Sequence, residues 1–324
     1  MIRHNPLQMQ RKKRSLKYSK SMLPTPFINL KAKEVGIKMK PIIKYRGGKS
    51  KEIPQILPYI PSFTGRYIEP FFGGGALFFY LEPHNAIIND INSNLITFYE
   101  DVKYNYSKIK KELSEIEKIY NKNRAEFDKI KALNPNDRVD DANEELYYKI
   151  RNMYNGLCDR ELSFGTIYYF INKTAYSGMI RYNSNGLFNV PYGRYKNFNT
   201  SLLTEEHHKL LKKAEIYNHS YEDIFEMVNE DDFIFLDPPY DCVFSDYGNE
   251  IMKDGFGEER HRKLAEDFRK LKCKVLMVIG KTQLTEELYG DLIVAEYEKS
   301  YAVNIRNRFK SESQHILVTN YGRK

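Results

Sequence analysis

A carboxylate at the end of a short apolar run is the strongest chemical signal in this sequence. The run FIFL (residues 233–236) is followed by Asp237, Pro238, Pro239 and Tyr240. Four apolar residues are typical of a buried strand, and two prolines stiffen the turn beyond it. The carboxylate and a main-chain carbonyl can each accept one N–H bond, and the tyrosine offers a flat face for stacking. The pattern therefore favours binding of a planar aromatic amine; an ordinary strand-ending turn is the alternative.

A run of three glycines gives a second chemical signal. In YIEPFFGGGALFF (residues 67–79) a predicted strand ends at Glu69, shortly before glycines 73–75. Glycine permits a tight turn that brings the main chain close to a ligand before a helix begins. Asp90 ends the next predicted strand, where its carboxylate could accept hydrogen bonds from ribose hydroxyls. The two features together predict a nucleotide-like cofactor, and the absence of GxGxxG spacing argues against a dinucleotide.

Strands and helices alternate around both motifs. Strands are predicted at residues 67–69, 86–89, 214–218, 233–236, 274–279 and 315–320, with amphipathic helices between them. Helices are also predicted at residues 106–131 and 144–154. Residues 155–200 are rich in Tyr, Asn, Gly and Arg, which is typical of loops that contact a partner. The sequence therefore predicts an α/β sheet domain interrupted by a mostly helical, loop-rich insert.

Composition limits the class of protein. The chain has 324 residues, of which 41% are hydrophobic and 29% charged, which indicates a soluble globular protein. Its apolar runs are far shorter than the ~20 residues of a membrane span, and the N-terminus lacks the apolar stretch of a signal peptide. We therefore expect a cytoplasmic protein without a membrane partner. Three widely separated cysteines and scattered histidines predict no metal site.

Positive charge is concentrated at the N-terminus. Residues 1–40 contain eleven Lys and Arg residues against one acidic residue. Such an arm suggests a polyanionic partner, and a solvated tail is the alternative interpretation. The same two interpretations apply to NIRNRFK (residues 304–310), whose basic residues could contact phosphates. Residues 241–257 are either a mobile loop that closes over a substrate or a plain surface loop.

Several segments together resemble the Dam-type DNA adenine methyltransferases (D12 class, alpha group). They are KYRGGK (44–49), EPFFGGG (69–75), NDIN (89–92) and DPPY (237–240), and residues 172–196 are similar to that family's target-recognition hairpin. Their order is also that of the alpha group. The resemblance covers about residues 41–320. It implies a Rossmann-like methyltransferase sheet with helices on both faces, plus a mostly helical target-recognition insert with a hairpin loop.

The resemblance also implies domain boundaries and site residues. Residues 41–104 and 201–324 would form the catalytic domain that binds S-adenosylmethionine, residues 105–200 the target-recognition domain, and residues 1–40 a basic, flexible arm. The expected catalytic residues are Asp237, Pro238 and Tyr240. The expected cofactor-binding residues are Tyr45, Lys49, Glu69, Phe71, Gly73, Asp90, Ile91, Tyr221 and Asp237. Within this set, Lys49 would lie beside the methionine carboxylate, Asp90 at the ribose and Ile91 against the adenine.

The recognition hairpin and its neighbours would contact DNA. The residues that match DNA-contacting positions of the family are Lys44, Ser177, Met179, Arg181, Pro191 and Tyr195. Arg181 matches an arginine that reads guanine, which suits the bidentate chemistry of guanidinium with that base. Ser177 and Met179 stand where the family usually has Asn and Leu. The target could therefore be GATC-like or another short palindrome such as CATG.

The function implied by the resemblance is site-specific methylation of the N6 amine of an adenine flipped out of double-stranded DNA. Asp237 and the Pro238 carbonyl would accept the two amine hydrogens, with no metal and no covalent enzyme intermediate. One monomer would suffice, and a cognate restriction endonuclease could act separately on the same site. The alternatives are a methyltransferase acting on RNA or on a protein amide, and a non-catalytic DNA-binding relative. Asp237, where protein-amide enzymes usually carry Asn, and the hairpin favour the DNA enzyme.

Overall fold

A computed structural model of the chain describes residues 38–178, 180–240, 256–298 and 314–322. These residues form one mixed sheet with the strand order β3-β2-β1-β4-β5-β7-β6. The strands are β1 Tyr67–Glu69, β2 Ala86–Asn89, β3 Ala214–Tyr217, β4 Phe233–Leu236, β5 Lys274–Gly280, β6 Ile293–Glu298 and β7 Gln314–Thr319. Strands β1 to β5 pair in parallel, and β7 is antiparallel to both β5 and β6.

The parallel strands end at one edge of the sheet, and this edge collects the chemical motifs. Asp90 follows the last residue of β2, and Asp237 follows the last residue of β4. Because β7 runs in the opposite direction, its first residues reach the same edge, where His315 pairs with Gly280 at the end of β5. The carboxyl edge therefore carries both acidic residues and the start of β7.

Helices cover both faces of the sheet. They are α1 Ile53–Ile56, α2 Ala76–Leu81, α3 Ser93–Leu133, α4 Ala142–Tyr154, α5 Phe164–Thr174, α6 Glu205–Lys213, α7 Tyr221–Glu226, α8 Glu258–Lys270 and α9 Gln283–Tyr289. In β4, Phe233 and Phe235 join an apolar cluster with side chains of α1 to α6. Ile234 and Leu236 join a second cluster with side chains of α7 to α9. This alternation buries both faces of a parallel strand and confirms the predicted α/β fold.

The strand predictions agree with the structure apart from one edge strand. The predicted strands at residues 67–69, 86–89 and 233–236 have the observed bounds, β3 and β5 differ by one residue at one end, and β7 is shifted by one residue at both ends. No strand was predicted at Ile293–Glu298, the edge strand β6. Its side chains are half-buried or exposed and include two glutamates, so the segment lacks the apolar run that marks the central strands.

The long helix α3 contains a bend. Asn105 has φ −120° and ψ 20°, outside the helical range, so the predicted helix at residues 106–131 is the second part of a longer one. The N-terminal end of α5 is held from both sides of this bend. Asp101 accepts the Gly165 N–H bond at 2.7 Å, and Glu112 accepts the Thr166 hydroxyl at 2.6 Å. Helix α5 thereby ties the two parts of α3 together.

The insert has an aromatic interior and ends in the predicted hairpin. The rings of Tyr120, Tyr147, Phe170, Tyr192 and Phe198 contact one another, and the hydroxyls of Tyr120 and Tyr192 lie 2.6 Å apart. Antiparallel bridges join residues 175 and 192 and residues 182 and 188, and a turn at residues 183–187 closes the hairpin. In the part of the chain that the structure describes, no helix has the length and apolarity that a membrane crossing requires.

Candidate active site and nucleic-acid interface

Asp237 and Tyr240, the two residues predicted to hold an amine and its ring, both lie beside Lys49. The Lys49 ammonium donates to the two carboxylate oxygens of Asp237 at 2.6 and 2.7 Å and to the Gly47 carbonyl at 2.9 Å. The same nitrogen lies 5.0 Å from the centroid of the Tyr240 ring, within the range of a cation–π contact. Pro238, which directly follows Asp237 in the sequence, is buried. The expected contact of Lys49 with a methionine carboxylate stays a prediction.

Glu69 adds a second carboxyl group to this edge of the sheet. It is buried at the end of β1 and accepts a hydrogen bond from the Tyr67 hydroxyl at 2.7 Å. Burial raises the pKa of Glu69 well above its usual range, the Asp237 charge raises that pKa further, and the Lys49 charge opposes the rise. Burial therefore makes Glu69 easier to protonate than an exposed glutamate, and Asp237 is the carboxylate that pairs with the lysine.

Tyr240 also contacts a buried polar cluster formed by Glu52, Tyr297 and His315. The ring centroids of Tyr240 and His315 lie 5.0 Å apart, with the planes at 76°. Glu52 accepts hydrogen bonds from His315 Nδ1 at 2.6 Å and from the Tyr297 hydroxyl at 2.8 Å. Sequence reasoning missed this cluster because Glu52 and His315 are 263 residues apart and belong to no motif.

The glycine turn after β1 packs against Tyr45 and is hydrogen-bonded to Asp90. Gly73 has φ +48°, and a Cβ atom there would lie 2.9 Å from the Tyr45 ring, so both the conformation and the close approach require glycine. Asp90 accepts N–H bonds from Gly73 and from Asn92, each at 2.9 Å. The turn and the end of β2 are thereby fixed to one another.

Apolar side chains flank this turn. The rings of Phe71 and Tyr221 lie 5.4 Å apart, and Phe256 contacts both at 6.0 and 6.4 Å. Ile91, which follows Asp90, is 44% exposed. Aromatic rings and an exposed isoleucine beside a carboxylate suit a planar heterocycle that carries a ribose. Phe256 was not predicted because the glycine-rich segment around it has no apolar periodicity.

The structure brings most of the expected DNA-contacting residues to one end of the insert. The Lys44 ammonium lies 4.7 Å from the centroid of the Tyr195 ring, and a Cβ atom on Gly178 would lie 3.0 Å from Lys44 Cδ. The Tyr176 N–H donates to the Pro191 carbonyl at 2.9 Å across the hairpin. Lys44 therefore lies against the hairpin although it precedes the sheet in sequence.

The remaining recognition residues lie along the hairpin. Ser177 is exposed and has φ +55°, in the left-handed region that Asn adopts more readily than Ser. Arg181 is exposed, and its Nε donates to Asn189 Oδ1 at 2.9 Å. Tyr176, which was not predicted, is 57% exposed and could stack on a base. The one feature of the sequence that pointed to Tyr176 was its position directly before Ser177.

Four of the predictions fall outside the described residues. They concern Met179, most of the basic arm, most of the loop at residues 241–257, and the basic run at residues 304–310. Within the described ranges, no group of three or more His, Cys, Asp and Glu side chains is arranged to hold a metal ion.

Comparison with known proteins agrees with this geometry. A family model described as D12 class N6 adenine-specific DNA methyltransferase matches residues 45–305. The chain is 37% identical over 290 residues to the Type II methyltransferase M.CviBI of Paramecium bursaria Chlorella virus NC1A, a match that covers 87% of this chain and 100% of that protein. Its identity to the Type II methyltransferase M.MjaIII of Methanocaldococcus jannaschii is 32% over 277 residues, covering 79% and 88%. The DNA adenine methylase of Haemophilus influenzae is 29% identical over 265 residues, covering 78% and 84%.

Proposed function

Since this chain belongs to the D12 class of N6 adenine-specific DNA methyltransferases, we propose that it methylates the N6 amine of an adenine flipped out of a short palindromic site in double-stranded DNA. The observation that carries the proposal is the arrangement of Asp237 and Tyr240 at the carboxyl edge of β4, both in contact with one ammonium group. The contacts of that ammonium support the proposal that this place accepts an N–H donor.

The protein's task at the adenine is to make a weak nucleophile reactive. The lone pair of the exocyclic amine is delocalised into the ring, so the amine attacks poorly. Asp237 and the Pro238 carbonyl accept its two N–H bonds, which localises the lone pair, while Tyr240 holds the base by stacking. The Asp237 side chain is 22% exposed and can therefore accept a bond from a ligand on the side away from the lysine.

Lys49 contacts Asp237, which we assign to the adenine amine, and is itself assigned to the cofactor. An ammonium has three N–H groups, and here two serve Asp237 and one serves the Gly47 carbonyl. With the cofactor bound, Lys49 would hold its methionine carboxylate while remaining beside Asp237. Because each carboxylate oxygen has two lone pairs, Asp237 could accept the adenine amine while still paired with the lysine.

S-adenosylmethionine supplies an electrophilic methyl group on a sulfonium centre. The residues that we assign to its binding are Tyr45, Lys49, Glu69, Phe71, Gly73, Asp90, Ile91, Tyr221 and Asp237. Gly73 lets the main chain turn tightly against the Tyr45 ring, and the Asp90 carboxylate lies at the strand end where a ribose binds in such sheets. These features support the fit of this cofactor.

The target is read by the insert, residues 105–200, together with Lys44 from the catalytic part, residues 41–104 and 201–324. The bend at Asn105 supports this boundary. The residues that we assign to DNA contact are Lys44, Tyr176, Ser177, Met179, Arg181, Pro191 and Tyr195, with the basic arm 1–40 adding phosphate contacts. The site is GATC-like or CATG-like.

Relatives named Type II methyltransferases support a role in modification. We propose that the protein acts as a monomer in the cytoplasm and protects DNA against a separate restriction endonuclease. The family match favours DNA over RNA or a protein amide as the substrate.

The proposal is tested by modified-base sequencing of plasmid DNA from a methylation-free host that expresses this chain. We expect N6-methyladenine at one short motif, and unmodified DNA from cells that express the Asp237→Ala variant. Plasmid DNA without methyladenine, from cells containing soluble protein that binds S-adenosylmethionine, would refute the proposal.

A further inference from the structure

The last turn of α5 holds the main chain at two points, one at the start of the KYRGGK segment (44–49) and one just before that segment. Asn172 is buried, its Oδ1 accepts the Lys44 N–H bond at 2.8 Å, and its Nδ2 donates to the Lys44 carbonyl at 2.7 Å. The next residue, Lys173, donates from its ammonium to the Ile42 carbonyl at 2.7 Å. Side chains of α5 therefore bind the main chain of a segment that lies 128 residues away in sequence.

The gripped segment carries two side chains that serve different ligands. Lys44 extends to the hairpin, where it contacts Tyr195 and passes close to Gly178. The next residue, Tyr45, packs on the Gly73 turn of the cofactor motif. One peptide unit thus separates a residue assigned to DNA from a residue assigned to the methyl donor.

A pair of hydrogen bonds to one residue restricts this segment more than a single bond would. With both its N–H and its C=O held by Asn172, the two peptide planes of Lys44 cannot rotate independently, so the directions of Lys44 and Tyr45 are fixed together. The contact also brings two cations close to one another. Burial lowers the pKa of Lys173 to about 8, and the nearby Lys44 charge contributes to this lowering. Anchoring of the segment alone would not require two lysines here.

We propose that Asn172 is a positioning residue that couples target recognition to the methyl-donor site. It holds Lys44 against the hairpin while Tyr45 stays on the glycine turn. When the target site engages Lys44, the same clamp steadies Tyr45, so DNA and cofactor strengthen each other's binding by the same factor. This inference rests on the function proposed above.

The test compares two variants that break the same kind of clamp at different places. Asn155, at the end of α4, makes an equivalent pair of side-chain bonds to Phe188 of the hairpin, accepting its N–H bond at 2.8 Å and donating to its carbonyl at 3.0 Å. Asn172→Asp and Asn155→Asp each keep the shape of the amide and place an acceptor against a carbonyl. Asn172→Ser removes both bonds without that repulsion and serves if the aspartate variant is unstable.

The measurement is calorimetric binding of S-adenosylhomocysteine, alone and with a duplex that contains the target site or one altered base pair. For the wild type we expect the target duplex to tighten binding and the altered duplex to do so much less. For Asn172→Asp we expect the tightening to fall about tenfold, because the Lys44 carbonyl loses its donor. For Asn155→Asp we expect weaker DNA binding with the cofactor coupling retained.

Unchanged coupling in both Asn172 variants, or equal loss in Asn155→Asp, would reduce Asn172 to a structural contact and overturn the inference. Equal binding of S-adenosylhomocysteine by the wild type with and without target DNA would overturn it as well. Failure of the proposed function has a different signature, namely a wild-type protein that binds the cofactor product and methylates no DNA.

Discussion

The ammonium of Lys49 lies within 2.7 Å of both carboxylate oxygens of Asp237, and the lysine is the buried member of the pair, 2% exposed against 22% for the aspartate. The aspartate is therefore the more exposed member of the pair, and the lysine also donates to the Gly47 carbonyl. A residue assigned to the cofactor and a residue assigned to the adenine are thus already in contact.

Replacing Asp237 by Asn should stop methyl transfer without emptying the cofactor site. The amide keeps the shape of the carboxylate but lacks its charge, so it polarises the adenine amine weakly. We expect single-turnover methylation to slow by about 10²–10³-fold, with S-adenosylhomocysteine still bound in a calorimetric titration. Methylation at a rate near that of the wild type would contradict the assigned role.

Replacing Lys49 by Met should weaken cofactor binding through the carboxylate of the cofactor. Loss of a charged hydrogen bond predicts about 10- to 100-fold weaker binding of S-adenosylhomocysteine. Methylthioadenosine, which lacks the amino-acid carboxylate, is the matched ligand and should bind both proteins equally. Equal losses for the two ligands would mean that Lys49 supports the site only through Asp237.

Replacing Glu52 by Gln should weaken the support beneath Tyr240. Both bonds reach the same oxygen of Glu52, and a neutral amide oxygen accepts them more weakly than a carboxylate, so we expect a loss of about 1–3 kcal/mol in the free energy of unfolding. The turnover number should fall because the ring is less firmly held, while affinity for target DNA stays close to that of the wild type. Glu298→Gln, an exposed change in β6, is the control for urea denaturation and kinetics.

Replacing Gly73 by Ala should damage the cofactor turn more than its backbone strain alone explains. Gly156 also has a positive φ, +67°, but a Cβ atom there would meet nothing within 4 Å. Gly156→Ala therefore measures the conformational cost alone, about 1–2 kcal/mol. Gly73→Ala adds a clash with the Tyr45 ring, so we expect a lower melting temperature than for Gly156→Ala and loss of S-adenosylhomocysteine binding. Equal melting temperatures with intact binding would show that Tyr45 moves aside freely.

His207 should make the stability of the protein depend on pH. The buried ring lies 2.8 Å from the Lys40 carbonyl and 2.9 Å from the Thr204 hydroxyl, and burial lowers the pKa of His207. Because folding favours the neutral ring, stability is highest above the pKa of an unfolded histidine, about 6.5, and decreases as the pH falls through and below that value. Urea denaturation between neutral and acidic pH should show this decrease in the wild type.

The matched pair for this measurement is His207→Gln and His84→Gln, since His84 is exposed. We expect a smaller pH dependence in the first variant and the wild-type dependence in the second. The same pH dependence in all three proteins would assign it to other groups.

The features of the site that could be predicted from the sequence depend on residues close together in the chain. Asp90 and Asp237 could be placed at one edge of the sheet because each directly follows an apolar run, and parallel strands align their ends. The Asn172 clamp and the contact of Glu52 with His315 could not be predicted, since they join residues 128 and 263 positions apart that belong to no shared motif. The resemblance implied a boundary between residues 104 and 105, but the helix predicted at residues 106–131 gave no sign that α3 begins at Ser93 and continues through that boundary.

The bend at Asn105 limits how far the insert can be treated as an exchangeable module. Asp101 lies before the bend and Glu112 after it, yet both bind the N-terminal end of α5. A chimera joined at the bend would take α5 from one parent and Asp101 from the other. A graft of a foreign recognition segment would therefore have to begin before Asp101 or retain a carboxylate at that position. Otherwise the N-terminal end of the transplanted α5 would lose its hydrogen-bond acceptor.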